Sequence, residues 1–286
     1  MSVVAAGRRH SVTCRPDGTV AAWGSSRAGE CGVDSWTDVA AVAAGNVHTA
    51  PNTGRSHTIG LRRDGTVLAT GWNGDGQANL SAWRDITDVA AGWRTSLGLR
   101  SDGTVVAAGR AREGQLSIEQ WREIVAFAAG DWHSVGIHFD GTAVAVGSNR
   151  RGQCDVSTWS HLASVSAGSL HTVGLRTDGT VVAVGEHGAG ACDTLGWSSV
   201  TGISAGSHHT VALFDDGTVR AVGNNDFGQC DVHEWAGVVD IAAGSTHTVG
   251  LLADGTAVAT GNNADGQCNT EGWRMSLSDS GHSPRI

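Results

Sequence analysis

An Asp-Gly-Thr triplet recurs at Asp17, Asp64, Asp102, Asp140, Asp178, Asp216 and Asp254, and from Asp64 onward every step is 38 residues. Only the first step is longer, at 47. A fixed period of this size means one supersecondary unit repeated, each copy burying its apolar face against its neighbours. The unit reads most clearly over residues 200–235, VTGISAGSHHTVALFDDGTVRAVGNNDFGQCDVHEW. VTGISAG alternates and ends at Gly206, HTVALF is a second apolar run, and the Asp-Gly pair opens a third, TVRAVG. Asp-Gly is expected to supply the positive backbone angles of a tight hairpin turn. A Gly-rich loop, NNDFGQ, then leads to CDVHEW, which is expected to be a fourth, outer strand.

Four short strands per unit at this period predict an all-β, seven-bladed β-propeller. The blades are expected over 3–36, 39–83, 86–121, 124–159, 162–197, 200–235 and 238–273, as a single domain 1–273 with an irregular tail, 274–286. An open solenoid would need distinct capping units, whereas the first and last copies here are as regular as the middle ones. Blade 2 departs from the array. Nine extra residues, Pro51 among them, fall within the stretch from His48 to His57. Long surface insertions cost little free energy, so a solitary one in a strict array is a candidate functional loop.

Two columns of the repeat look like chemistry and read more simply as packing. His10, His57, His133, His171, His209 and His247, with Thr95 in the seventh place, suggest a metal cluster. Equivalent residues of successive blades are dispersed around a ring, while a metal needs its ligands around one centre, so no metal is expected and the imidazoles are expected to bond to nearby backbone. His187 and His208 stand off the column. Cys31, Cys154, Cys192, Cys230 and Cys268 share a column with Ala78 and Leu116, and Cys14 sits where other blades have Leu or Ile. A column that accepts Cys, Ala or Leu is a small apolar position, so reduced thiols are expected rather than a disulfide framework. The Trp column, Trp36, Trp83, Trp121, Trp159, Trp197, Trp235 and Trp273, is expected to peg neighbouring sheets together.

The chain contains no Lys, and its 19 basic residues against 28 acids give a net charge of -9. General nucleic-acid binding is therefore not expected. No apolar run approaches the roughly 20 residues that span a bilayer, and the first residues lack the ordered regions of a secretory leader. A cytoplasmic location follows as the expectation, unless the sequence is already a processed form. No G-x-S-x-G elbow, Walker loop or H-E-x-x-H appears, so no catalytic residue and no cofactor are assigned.

With the pattern AAG-x-x-HTVGL-x-x-DGTVVAVG-x-N-x-x-GQC, read around residues 167–192 and 243–268, the chain resembles the regulator of chromosome condensation family of repeats. The resemblance implies a seven-bladed propeller in which the His and Gly columns are structural. Members that exchange nucleotide on a small nuclear GTPase add a protruding β-wedge and a basic tail; this chain has no basic tail and only the insertion around Pro51, so the resemblance does not imply that activity. Plant ultraviolet-B photoreceptors of similar fold cluster Gly-Trp-Arg-His-Thr motifs, which only Gly92, Trp93, Arg94 and Thr95 approximate here. Bacterial propellers that inhibit β-lactamases are similar in being bare rings without appended domains, which suggests a binding face.

Positions that break the repeat carry the functional signal. In an up-and-down blade, the turn between the first two strands and the loop after the third open on the same rim. There, blades 2 to 4 place Trp72, Trp93, Arg94, Arg110, Arg112, Trp132, Arg150 and Arg151 beside the insertion with Pro51 and Arg55, while blades 5 to 7 place Glu186, Asp226 and Asp265. Trp and Arg are enriched at binding hot spots. The leading expectation is a non-catalytic protein-interaction scaffold whose Trp and Arg sector meets an acidic or mixed-charge protein partner. The alternative is an enzyme or small-molecule binder with its site at the mouth of the central channel on the same rim, lined by Asn149, Glu186, His187, Asn224 and Asn262. A secreted inhibitor of another organism's enzyme is a third reading.

Overall fold

The computed structural model describes residues 2–46, 48, 55–271 and 273. Its strands form seven separate antiparallel sheets, each from three consecutive strands in sequence order. The inner, middle and outer strands are Val4–Ala6, His10–Cys14 and Val20–Gly24 in blade 1, then Val39–Ala44, His57–Arg62 and Val67–Gly71 in blade 2. Blade 3 has Ile86–Gly92, Thr95–Arg100 and Val105–Gly109, and blade 4 Ile124–Ala129, His133–His138 and Ala143–Gly147. Blades 5, 6 and 7 begin at Leu162–Ala167, Val200–Ala205 and Val238–Ala243 and close with Val181–Gly185, Val219–Gly223 and Ala257–Gly261. The molecule is an all-β propeller of seven blades.

The fourth strand of the expected blade is not formed among the described residues. The segment after each Cys-column position folds into successive tight turns: in blade 6 the Val232 amide donates to the Cys230 carbonyl at 2.9 Å and the Trp235 amide to the Val232 carbonyl at 3.0 Å. Amides used in this way cannot enter a ladder. The Asp-Gly turn also differs in detail, since only the glycine has positive φ, +78° at Gly65 and +82° at Gly18. The aspartate instead caps the turn. Asp64 Oδ1 accepts from the Thr66 amide at 2.9 Å and the Thr66 hydroxyl at 2.6 Å, and the other six triplets repeat this pair. That pair of hydrogen bonds accounts for the Asp and the Thr, and the positive φ for the Gly, so all three letters of the triplet recur.

The Trp column pegs each blade to the next. The ring of Trp83 covers the middle strand of blade 3 at Gly98, where an added Cβ would lie 2.7 Å from the indole, and Trp36, Trp121, Trp159 and Trp235 sit likewise on Gly60, Gly136, Gly174 and Gly250. At the seam that closes the ring, Trp273 packs with Val4 and Ala6 of blade 1, and its ring centroid is 4.2 Å from that of Trp23.

The His column also ties blade to blade, through side-chain hydroxyls where bonds to backbone were expected; His57 has the Thr95 backbone as a partner as well. Nε2 of His10, His57, His133, His171, His209 and His247 lies 2.7–3.0 Å from the hydroxyls of Thr58, Ser96, Thr172, Thr210, Thr248 and Ser11, each on the middle strand of the next blade. Those hydroxyls donate their own protons to the backbone carbonyls of Glu30, Gln77, Gln153, Ala191, Gln229 and Gln267. The hydroxyl oxygen must then accept, so Nε2 carries the imidazole proton. The pair His247–Ser11 joins the last blade to the first. Burial pushes His10, His171 and His209 down to about 3 and His57, His133 and His247 down to about 4, so all six are neutral. None of the six cysteines is paired, and burial raises each thiol to about 11 or 12.

Small residues of the inner strands, among them Ala6, Ala44, Ala91, Ala129, Ala167, Ala205 and Ala243, line a central cavity of about 280 Å³. No helix among the described residues is long and apolar enough to cross a membrane.

Candidate functional site

The turn between the inner and middle strands opens with a different residue in most blades: Arg8, Asn46, Trp93, Asp131, Ser169, Ser207 and Ser245, all buried. These residues ring one mouth of the channel. Two residues at the start of the blade 2 insertion reach across it. Asn46 Oδ1 accepts from the hydroxyls of Ser207 at 3.1 Å and Ser245 at 2.8 Å, on blades 6 and 7. His48 is held from two other sides: its amide and its Nδ1 lie 2.7 and 3.0 Å from Asp131 Oδ2, and Arg8 donates to its carbonyl at 2.9 Å. The mouth is therefore crossed by chain, and no group of His, Cys, Asp or Glu suited to a metal occurs among the described residues.

Beside this crossing stands an aromatic cluster. The rings of Trp93 and Trp132 are 4.4 Å apart, and the His48 imidazole lies 4.8 Å from the first and 5.2 Å from the second. Sequence reasoning placed Trp93 on an exposed contact face; it is instead buried, at 6% exposure, and Trp132 and Trp72 are half-buried. The indoles serve as platforms. The guanidinium carbon of Arg94 is 4.7 Å from the Trp93 ring centre, that of Arg110 5.1 Å from Trp93 and 5.6 Å from Trp132, and that of Arg55 4.1 Å from Trp72. Each such contact is worth about 0.5–1 kcal/mol where exposed.

Acids fix two of these arginines further. Arg94 pairs with Asp75 at 3.2 Å, and Arg110 meets both oxygens of Glu113 at 2.9 and 2.5 Å. Arg94 also stands at φ 59°, an unfavourable left-handed conformation for a residue with a side chain. Arg112, Arg150 and Arg151 are exposed; Arg151 lies 3.7 Å from Glu186, while Arg112 and Arg150 pair with no acid among the described residues. Pro51 lies outside the described residues.

The alternative set of channel-mouth residues is not at the channel. Asn149, Glu186, His187 and Asn224 follow the third strand of their blades, two strands outward from the wall, and none of them lines the cavity. Asn149 and Asn224 organise their own loops, donating to Asp155 at 2.7 Å and to Asp226 at 2.7 Å. Asn262 lines a pocket separate from the channel, of about 140 Å³, shared with Arg8, Arg9, Phe227, Ser245 and Thr246. Sequence reasoning missed His48 and Asp131. For Asp131 the signal was the repeat position after the strand-ending glycine, three of whose seven occupants are serine; His48 lies outside that column, in the blade 2 insertion.

The regulator of chromosome condensation (RCC1) repeat model matches residues 52–77, 86–115, 124–153, 162–190, 200–229 and 238–267, well over half the chain. The chain belongs to the RCC1 repeat family. No curated protein matches this RCC1-repeat chain in sequence. Among solved structures it is similar to the ectodomain of the Physcomitrella patens receptor kinase CR4, with TM-score 0.73, 18% identity, and 91% of this chain and 73% of that one covered. It is also similar to yeast RCC1 (Prp20) bound to Kap60, with TM-score 0.67, 18% identity and coverage of 92% and 81%. A further similar structure is Prp20p of Saccharomyces cerevisiae, described with its binding properties to Gsp1p and histones, at TM-score 0.66, 18% identity and coverage of 92% and 83%. At these identities the RCC1-repeat ring shares their fold.

Proposed function

We propose that this RCC1-repeat ring is a protein-interaction scaffold whose arginine sector on blades 2 to 4 binds an acidic segment of a protein partner. The observation that carries the reading is the set of guanidinium groups held over indoles, Arg55 on Trp72 and Arg94 and Arg110 on Trp93 and Trp132, beside the exposed and acid-free Arg112 and Arg150. Stacking removes rotamer freedom before any partner arrives, so less entropy is lost on binding. The corresponding loops of blades 5 to 7 carry Glu186, Asp226 and Asp265, so the rim is polarised in a chain of net charge -9. Such a division orients encounter and makes association salt-sensitive. Protein partners named for the yeast ring, Kap60, Gsp1p and histones, support the general role of such a ring as a binding body.

The test is charge reversal at the two unpaired arginines, Arg112→Glu with Arg150→Glu, followed by crosslinking and capture from the native lysate. The expected result is loss of one salt-sensitive partner that the wild-type ring and an Arg63→Glu control both recover. Identical recovery by all three proteins would remove the assignment.

A further inference from the structure

A second break in the repeat lies on the opposite rim, where the middle strand of each blade turns into the outer one. At the turn position before the Asp-Gly pair the other blades carry Pro16, Arg63, Ser101, Thr177, Asp215 and Ala253, whereas blade 4 carries Phe139, which is 83% exposed. The fold does not require that ring. What the position supplies to its blade is an amide: Phe139 donates to the Glu123 carbonyl at 2.9 Å, and Ser101, Thr177 and Asp215 donate in the same way to Asp85, His161 and Ser199 at 2.8–3.0 Å. Any side chain would serve. The phenyl instead forms one wall of an open groove of about 510 Å³ between blades 3 and 4, floored by the buried Leu99 and Ile124 and continued by Val125, itself 50% exposed.

We propose that this groove is an interaction surface for a partner segment that presents a large apolar side chain beside a lysine or arginine. Two observations set that chemistry. The first is the apolar pair, Phe139 and Val125, standing together in the open groove. At its exposure the phenyl adds little burial to the ring itself, while aromatic anchors of this kind dominate the energetics of interfaces once a partner covers them. The second is charge. The groove is lined by one guanidinium, Arg100, and by two carboxylates, Asp102 and Glu123. None of the three is in a salt bridge among the described residues. Bonds from Thr104, and more weakly the charge of Arg100, hold the Asp102 carboxyl below its ordinary value, so it is ionised at neutral pH.

Two carboxylates against one guanidinium leave the lining with one net negative charge. The charges next along the rim do not cancel it. Arg84 and Arg122 are matched in number by Asp85 and Asp140, and both guanidiniums are turned onto backbone, donating to the Trp83 and Trp121 carbonyls at 2.7 Å. A basic group beside the apolar anchor is therefore favoured, and an acidic one is disfavoured. This is the reverse of the preference on the arginine sector, which lies on the other rim and shares no residue with the groove. With both rims occupied, the ring would bridge an acidic segment and a basic one. The two readings stand or fall separately.

The experiment pans a phage-displayed library of random peptides on the intact chain at low salt, with counter-selection on a Phe139→Ser variant. The enriched sequence is then measured as a fluorescein-labelled peptide by polarisation. The expected consensus is a large apolar residue beside Lys or Arg. Phe139→Ser should weaken that peptide at least about tenfold, the factor that burial of a phenyl supplies. Glu123→Gln should weaken it at low salt and leave it unchanged at high salt, where the charge is screened. Arg112→Glu, in the arginine sector, should leave it unchanged. Phe139 and Glu123 are both exposed, so their variants are expected to keep the wild-type circular dichroism. Sedimentation of the chain alone tests the competing occupant: self-association abolished by Phe139→Ser would make it a second copy of this chain and overturn the proposal. An acidic consensus, or no enrichment over the Phe139→Ser control, would overturn it as well.

Discussion

Lowering the pH should unfold this protein in a narrow window, because the six imidazoles that join the blades are neutral in the folded ring. Their folded values lie at about 3 or 4, against 6.5 for the free side chain. A depressed folded value means that the unfolded chain binds protons first. The stability these groups contribute is complete above about pH 6.5 and is lost as the pH falls from there toward the folded values. At pH 5 each imidazole costs ~2 kcal/mol, and six cost ~12 kcal/mol, which is as large as the whole stability of an ordinary domain. Glu30, Asp88 and Asp240 act the other way: burial raises their carboxyls, and protonation relieves that penalty, so they offset part of the loss. The Asp-Gly-Thr carboxylates are held low by their threonines and enter only below about pH 4. Urea unfolding followed by tryptophan fluorescence at pH 7.5, 6.5 and 5.5 measures the effect. The expected slope near pH 5.5 corresponds to uptake of about five protons, and a folded His171→Gln variant should take up about one fewer. Equal stability at pH 7.5 and 5.5 would refute the reasoning, as would a slope of a single proton.

Thr95 occupies the histidine column in blade 3, and its buried hydroxyl has no partner, while Ser134 opposite still donates to the Gln115 carbonyl at 2.8 Å. Thr95→His should therefore supply the missing inter-blade bond and raise the urea midpoint at pH 7.5 by about 1 kcal/mol of stability, a gain that disappears at pH 5. Trp159→Ala should cost about 3–5 kcal/mol by the same measurement, since the indole fills the space over Gly174 between blades 4 and 5. Because the six thiols are raised to about 11 or 12, iodoacetamide at pH 8 should label the native cysteines at least about a hundredfold more slowly than the urea-unfolded chain, as read by mass spectrometry.

The seven-fold β-propeller was legible because each blade buries the same faces, so the Trp, His and Gly columns recur at one period. The fourth strand was misread since CDVHEW has strand-like composition, and its amides close tight turns instead. The arginine sector was legible as a break in the repeat. Its construction was not, because burial of Trp93 depends on His48 and Trp132, which come from other blades. The Asn149 to Asn262 set was placed at the channel because sequence tells which residues share a rim and not how far each lies from the axis.

Local chemistry thus determined the repeating unit: which residues turn and which face inward are settled within one period and recur in all seven, and the glycine that receives a neighbour's indole recurs in five. What only the tertiary structure decided is everything that joins distant periods. Asn46 meets Ser207 and Ser245, His48 meets Asp131, and Arg8 faces Phe227 because ring closure brings non-neighbouring blades to one small mouth. No period in the chain records those distances, since they are set by the curvature of the assembled ring.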